Sequence, residues 1–107
     1  MTATVDQLPG AISFVDEDGV PVLRLYGEID STVVEAYEDA TGERSRQAAV
    51  VDASRVTFLD CRGLGLLVRR TQDVRRAGQR PVLRRPARIV RRVVDVAGAG
   101  GLFTIAL

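Results

Sequence analysis

The sequence is 107 residues long, with 46% apolar and 27% charged residues and a formal net charge of +1, which suits one soluble globular domain with a single core. It contains neither His nor Lys, so an imidazole base or ligand, a Schiff-base lysine and the phosphate-gripping lysine of a P-loop are all excluded. No apolar run approaches the ~20 residues that cross a bilayer, and with Cys61 as the only cysteine no disulfide forms within the chain.

Residues 1–9 read as a flexible arm ahead of a domain over residues 10–107. The arm lacks the basic start and apolar stretch of a secretory signal, so a cytoplasmic protein is expected. Ala11 to Val15 suits a first strand, and Asp16-Glu17-Asp18-Gly19 ends in the Asp-Gly hairpin signal. Strand two runs from Val20 to Gly27, with Leu23 and Leu25 on one face and Val22, Arg24 and Tyr26 on the other.

Asp30 or Ser31 then caps a helix carrying Val33, Val34, Tyr37 and Ala40 at helical spacing, weakened at its far end by Gly42. Ala48 to Ala53, apolar but for Asp52, predicts a central strand covered on both faces. A helix beginning within one residue of Asp60 shows Leu64, Leu67, Val68, Thr71 and Val74 on one side and ends at Gly78. Pro81-Val82-Leu83 is a short strand, and a third helix starts near Pro86 with Val90, Val93, Val94 and Ala97 inward. Gly98-Ala99-Gly100-Gly101 breaks it, and Leu102 to Leu107 is a last strand. The order β-β-α-β-α-β-α-β predicts a single α/β domain, with a mostly parallel sheet and an antiparallel opening hairpin.

The junction around Asp60 is the candidate site. A buried strand feeding directly into a helix puts a few groups at an exposed helix N-terminus on a rigid base. Asp60 is placed as the N-cap, with Leu59 and Leu64 as the two residues of a hydrophobic staple. Gly63 and Gly65 cost ~1 kcal/mol each relative to Ala in an exposed helix interior, which implies close approach either of the chain's own strand or of a partner. Gly63-Leu64-Gly65 is no dinucleotide fingerprint, because Val68 stands where its third glycine belongs. No cofactor and no metal are expected.

Leu25-Tyr26-Gly27-Glu28-Ile29-Asp30, Val50-Val51-Asp52 and Val56-Thr57-Phe58-Leu59-Asp60 with Gly63-Leu64-Gly65 occur in register and in order. In these the chain resembles, over roughly residues 10–107, a STAS domain of the anti-sigma factor antagonist kind. The resemblance implies a non-enzymatic regulator that binds an anti-sigma factor which is also a serine kinase. It also implies a partner-binding surface formed by Asp30, Ser31, Asp60, Cys61, Arg62, Gly63, Leu64 and Gly65. In that family the kinase phosphorylates the first Ser or Thr after the junction aspartate, and the phosphate breaks the complex. The matching position here is Cys61, followed by Arg62, so neither residue accepts phosphate from a serine kinase and the family's switch is not carried over.

Cys61 has two readings: a small residue in the acceptor's place, or a thiol that helix N-terminus and Arg62 bias toward thiolate, making a redox switch. Arg62 opposes the helix dipole, and either pairing with Asp60 or an acidic partner group relieves this. Residues 1–53 hold 3 Arg and 11 acids, a balance of −8, whereas residues 54–107 hold 12 Arg and 3 acids, a balance of +9. Arg69, Arg70, Arg75, Arg76, Arg88, Arg91 and Arg92 on the second and third helices make a basic face if those helices share one side of the sheet. An alternative function is therefore a scaffold in which acidic and basic halves pack head to tail as a homo-oligomer. Nucleic acid is a weaker partner than protein, because no aromatic residue lies among these arginines. No membrane association is expected.

Overall fold

The computed structural model describes residues 8–42 and 46–107. Residues 1–7 of the expected arm lie outside that range, while Leu8 packs against the core and the Pro9 carbonyl accepts from the Glu28 N–H at 3.1 Å. The opening hairpin pairs β1 (Gly10–Glu17) with β2 (Val20–Ile29) in antiparallel register from Gly10↔Gly27 to Glu17↔Val20. Its two-residue turn holds Asp18 at φ 53° and Gly19 at φ 84°. Positive φ at both positions matches the right-handed strand twist, which is why Asp-Gly serves here. The strands absorb Asp16 and Glu17, and the Asp16 carboxylate accepts from the Gly19 N–H at 2.7 Å.

From β2 the chain passes through α1 (Ser31–Thr41), β3 (Val50–Leu59), α2 (Cys61–Arg69), α3 (Gln72–Arg76), β4 (Val82–Arg84) and α4 (Arg88–Val96). A 3₁₀ turn (Gly100–Leu102) and β5 (Thr104–Ala106) complete it. The sheet order is β1-β2-β3-β4-β5, antiparallel between β1 and β2 and parallel thereafter. The α/β fold and the antiparallel hairpin expected from the sequence are both present. Helices α1, α2 and α4 touch one another in a row, α1 over β1 and β2, α2 and α4 over β3. They cover one face of the sheet, where Leu23, Leu25, Val51, Ala53 and Leu83 meet Val33, Val34, Leu64, Leu66, Leu67, Val90 and Val94.

Four elements differ from expectation in extent. The central strand continues to Leu59 rather than stopping at Ala53; none of residues 48–53 is exposed, although helices pack on one face only. Polar residues do not end it, because its register against β2 shifts twice, between Arg24 and Tyr26 and between Gly27 and Glu28. Each shift inserts one extra β3 residue, so consecutive residues Ser54-Arg55 and Thr57-Phe58 are exposed while Val56 and Leu59 stay buried.

The helix expected from Asp60 to Gly78 breaks at Arg70-Thr71 into α2 and α3. The carbonyls freed at the break acquire other donors. Thr71, fully buried, donates its hydroxyl to the Leu67 carbonyl at 2.6 Å, and Arg75 donates to the carbonyls of Val68 and Leu102. The Gln47 side chain donates to the Arg69 carbonyl at 2.9 Å, and the Ala48 N–H donates to the Arg70 carbonyl at 2.6 Å. Lastly, α4 begins at Arg88, two residues after Pro86, and the final strand is shortened to three residues by the 3₁₀ turn.

Candidate functional site

The site is built from two strand ends that lie side by side. Ile29 and Leu59 are register partners at the ends of β2 and β3, so the next residues, Asp30 and Asp60, begin α1 and α2 from neighbouring positions. Both aspartates have extended backbone, φ −106° and −104°, and each turns its carboxylate onto the free N–H three residues ahead. Asp30 accepts from Val33 at 3.0 Å, and Asp60 accepts from Gly63 at 2.9 Å. The Asp60 N–H in turn donates to the Ile29 carbonyl at 3.4 Å, tying the second cap to the first strand. Leu59 and Leu64 are both buried in the core, as a hydrophobic staple requires. This twin-capped corner makes a rigid base for whatever stands on it.

The two helix glycines serve different ends. A Cβ on Gly63 would lie 2.5 Å from Leu59 Cδ1 and 2.8 Å from the Ile29 carbonyl oxygen, so it is the chain's own β2 end that approaches there. A Cβ on Gly65 would meet only Arg69 Nη1, at 3.1 Å. Gly63 permits packing; Gly65 leaves room for a passing side chain.

Cys61 and Arg62 are both exposed in the first turn of α2, and Ser31 is half-buried at the start of α1. Arg62 does not pair with Asp60, whose carboxylate is occupied as a cap. It reaches instead to Glu35 on α1, at 3.2 Å. Seven residues further on, Arg69 pairs with Glu38 at 3.1 Å, so two ion pairs lace α2 to α1. All four side chains are well exposed, which keeps each pair within about 0–1 kcal/mol. The expected continuous basic face is therefore divided. Arg69 is spent on Glu38, Arg76 sits 3.7 Å from Asp73, and Arg75 turns inward over the Phe103 ring at 5.5 Å. Arg88, Arg91 and Arg92 remain together on α4, around a shallow groove with Asp95 and Val96.

Phe58 is a further exposed residue beside this corner, outside the surface expected from the sequence. It is 44% exposed beside Thr57, two residues before Asp60. Its signal was the spacing Val56-x-x-Leu59, which no regular strand alternation accommodates. Phe58 precedes the Asp60 cap by two residues on β3, and Cys61 and Arg62 follow it at the start of α2. Among the described residues no cluster of His, Cys, Asp or Glu could hold a metal ion, and no helix is long and apolar enough to cross a membrane.

A family model described as "Mlab, STAS domain" matches residues 12–105. The chain is 31% identical over 97 residues to the anti-sigma-F factor antagonist RsfB of Mycobacterium tuberculosis, covering 88% of this chain and 79% of that relative. Among solved structures it is similar to the anti-sigma factor antagonist SpoIIAA in its unphosphorylated form, with a TM-score of 0.63 and 25% identity over 90% of this chain and 88% of that one. The phosphorylated form of the Bacillus cell fate determinant SpoIIAA shares the fold, with a TM-score of 0.57 at 24% identity, over 90% of this chain and 91% of that one.

Proposed function

We propose, from the premise that the chain belongs to the STAS-domain family and, within it, to the anti-sigma factor antagonists, that it binds an anti-sigma factor of the serine-kinase type and so releases a sigma factor, without catalysis of its own. The observation that carries this reading is the twin-capped corner. Two helix N-termini and two strand ends hold the backbone around Asp30 and Asp60, so the start of α2 with Cys61 and Arg62 needs little reordering when a partner docks, which lowers the entropic cost of association. Phe58 supplies the apolar anchor, and Arg62, held only by an exposed ion pair to Glu35, is free to exchange that pair for an acidic group on the partner.

The standard control of such complexes does not operate at the matching position, because Cys61 offers a kinase no hydroxyl. Binding to the kinase is then independent of its phosphotransfer activity at that residue. A head-to-tail assembly through acidic and basic halves is less well supported, since Glu35 and Glu38 already neutralise Arg62 and Arg69 within the chain.

Calorimetric titration against purified kinase-type anti-sigma factors from the same cell tests the proposal. One of them binds the wild-type chain, Phe58→Ala weakens that complex about tenfold or more, and Arg62→Glu weakens it further. Failure of every such factor to bind, or equal binding by both variants, overturns the reading.

A further inference from the structure

The helices leave the other face of the sheet open, and there a row of polar residues runs across four strands in register: Ser13 on β1, Arg24 on β2, Asp52 on β3 and Arg84 on β4. Beside this row the first β3 shift exposes Ser54 and Arg55 together, next to Tyr26. The result is a hollow of about 460 Å³, lined by Ser13, Arg24, Tyr26, Asp52, Ser54 and Arg55 among others. Its size lies in the ordinary range for small-molecule sites.

The groups of this hollow are already sorted by charge and by hydrogen-bonding sense. Asp52 is fully engaged: Oδ1 accepts from the Ser54 N–H at 3.1 Å and from its hydroxyl at 2.8 Å, while Oδ2 accepts from Arg84 at 2.9 Å. Both Glu17 carboxylate oxygens are likewise held by Arg84, at 3.1 and 2.9 Å. Arg84 thus engages both acids of this face, and with Arg24 and Arg55 the three guanidiniums outnumber the two carboxylates. Arg24 lies only at the 4.0 Å limit from Glu17. Arg55 has no carboxylate within ion-pair distance among the described residues, and its guanidinium stands 5.8 Å from the Tyr26 ring centroid. Because Ser54 gives its proton to Asp52, its oxygen presents lone pairs to the hollow. Tyr26, 56% exposed, offers aromatic surface at the rim.

We propose that this hollow binds a small hydroxylated phosphate monoester of the sugar-phosphate class. The phosphate lies between Arg24 and Arg55, which match its oxygens as paired N–H donors, with the Ser13 hydroxyl as a further donor. A ligand hydroxyl donates to Ser54 Oγ, and the sugar face rests near Tyr26. The site is separate from the Asp60 corner, and its occupancy is independent of any partner bound there.

Amide chemical shifts of the full chain, recorded during titration with glucose 6-phosphate, inorganic phosphate and glucose at constant ionic strength, test this. Glucose 6-phosphate produces saturating shifts at Ser13, Arg24, Tyr26, Ser54 and Arg55, and binds about tenfold more tightly than inorganic phosphate because the sugar adds contacts. Glucose alone produces none. Arg24→Gln with Arg55→Gln abolishes saturation while thermal unfolding is unchanged, whereas Arg88→Gln with Arg91→Gln on α4 leaves binding intact. The assignment is overturned by absence of saturating shifts, by shifts centred on α4, by equal affinity for inorganic phosphate, or by binding that survives the Arg24 and Arg55 substitutions.

Discussion

Replacing Gly63 by alanine adds one methyl group between α2 and the end of β2. That carbon would stand 2.5 Å from Leu59 Cδ1, 2.8 Å from the Ile29 carbonyl oxygen and 3.1 Å from Ile29 Cγ2. The leucine methyl can rotate away. The carbonyl cannot, because it ends a sheet strand and accepts from the Asp60 N–H. α2 must therefore withdraw by several tenths of an ångström, loosening the Asp60 cap and the seat of Leu64. Overpacking of this kind costs about 1–3 kcal/mol, against a helix-propensity gain of up to ~1 kcal/mol for Gly→Ala. A net loss of about 1–2 kcal/mol is expected, at about 4–8 °C in Tm per kcal/mol for a domain near this size. Gly65→Ala is the matched control. Its methyl meets only the movable end of Arg69, so the propensity gain dominates and stability rises by about 0.5 kcal/mol. Urea and thermal unfolding of the two variants read the difference. Equal signs for both, or a neutral Gly63→Ala, would refute the account of α2 packed on β2.

Asp60→Ala removes the acceptor for the Gly63 N–H and is expected to cost about 1 kcal/mol, while Asp60→Asn, which still accepts, stays within a few tenths; urea midpoints compare them. Cys61→Ser restores a hydroxyl at the acceptor position, so intact-mass analysis after incubation with ATP and a bound kinase-type anti-sigma factor should find one phosphate on the variant and none at residue 61 of the wild type. Phosphate on Ser31, Ser54 or Thr57 of the wild type would instead place its control elsewhere.

A fourth expectation concerns acid. The Arg84 hydrogen bond holds Glu17 below its ordinary 4.5. Burial pushes Asp52 upward, but the Ser54 and Arg84 hydrogen bonds outweigh it and hold the carboxyl below its ordinary 3.8. Depressed carboxyls contribute stability that is fully present above those ordinary values and lost as pH falls through the lower folded ones. Stability of the wild type should therefore decline from about pH 4.5 downward. Glu17→Gln with Asp52→Asn should be weaker at neutral pH and show a shallower decline. An acid limb of equal steepness in the double variant would contradict the assignment.

The Asp60 corner was legible because each signal there is local. A capping aspartate, a leucine on either side and a glycine at the third helical position act within one turn, and the sequence displays them consecutively. The broken helix was hidden for the opposite reason. Thr71 and Val74 continue the apolar period of α2, and what ends it is a set of donors from Gln47, Ala48 and Arg75 that meet only in the fold. Ser54, Arg55 and Thr57 looked like the end of a strand, yet an extra residue at two places lets β3 carry them outward. The arginines looked like a surface. Side-chain reach decided otherwise, drawing Arg62 and Arg69 to α1 and Arg75 inward.

The Arg84 strap joins residues 67 positions apart along the chain, from the first strand to the fourth. It can close only after the hairpin and β4 have both docked on β3, since its two ends belong to separate units until then. Contacts of such separation, made after the folding nucleus, leave the rate of assembly unchanged and slow its reversal. Val22, opposite Val15 and Val50, is 1% exposed although it belongs to no part of the helix-covered core. The strap is thus a latch in time: it adds to the pairing of β2 with β3 in holding the hairpin once the sheet is complete.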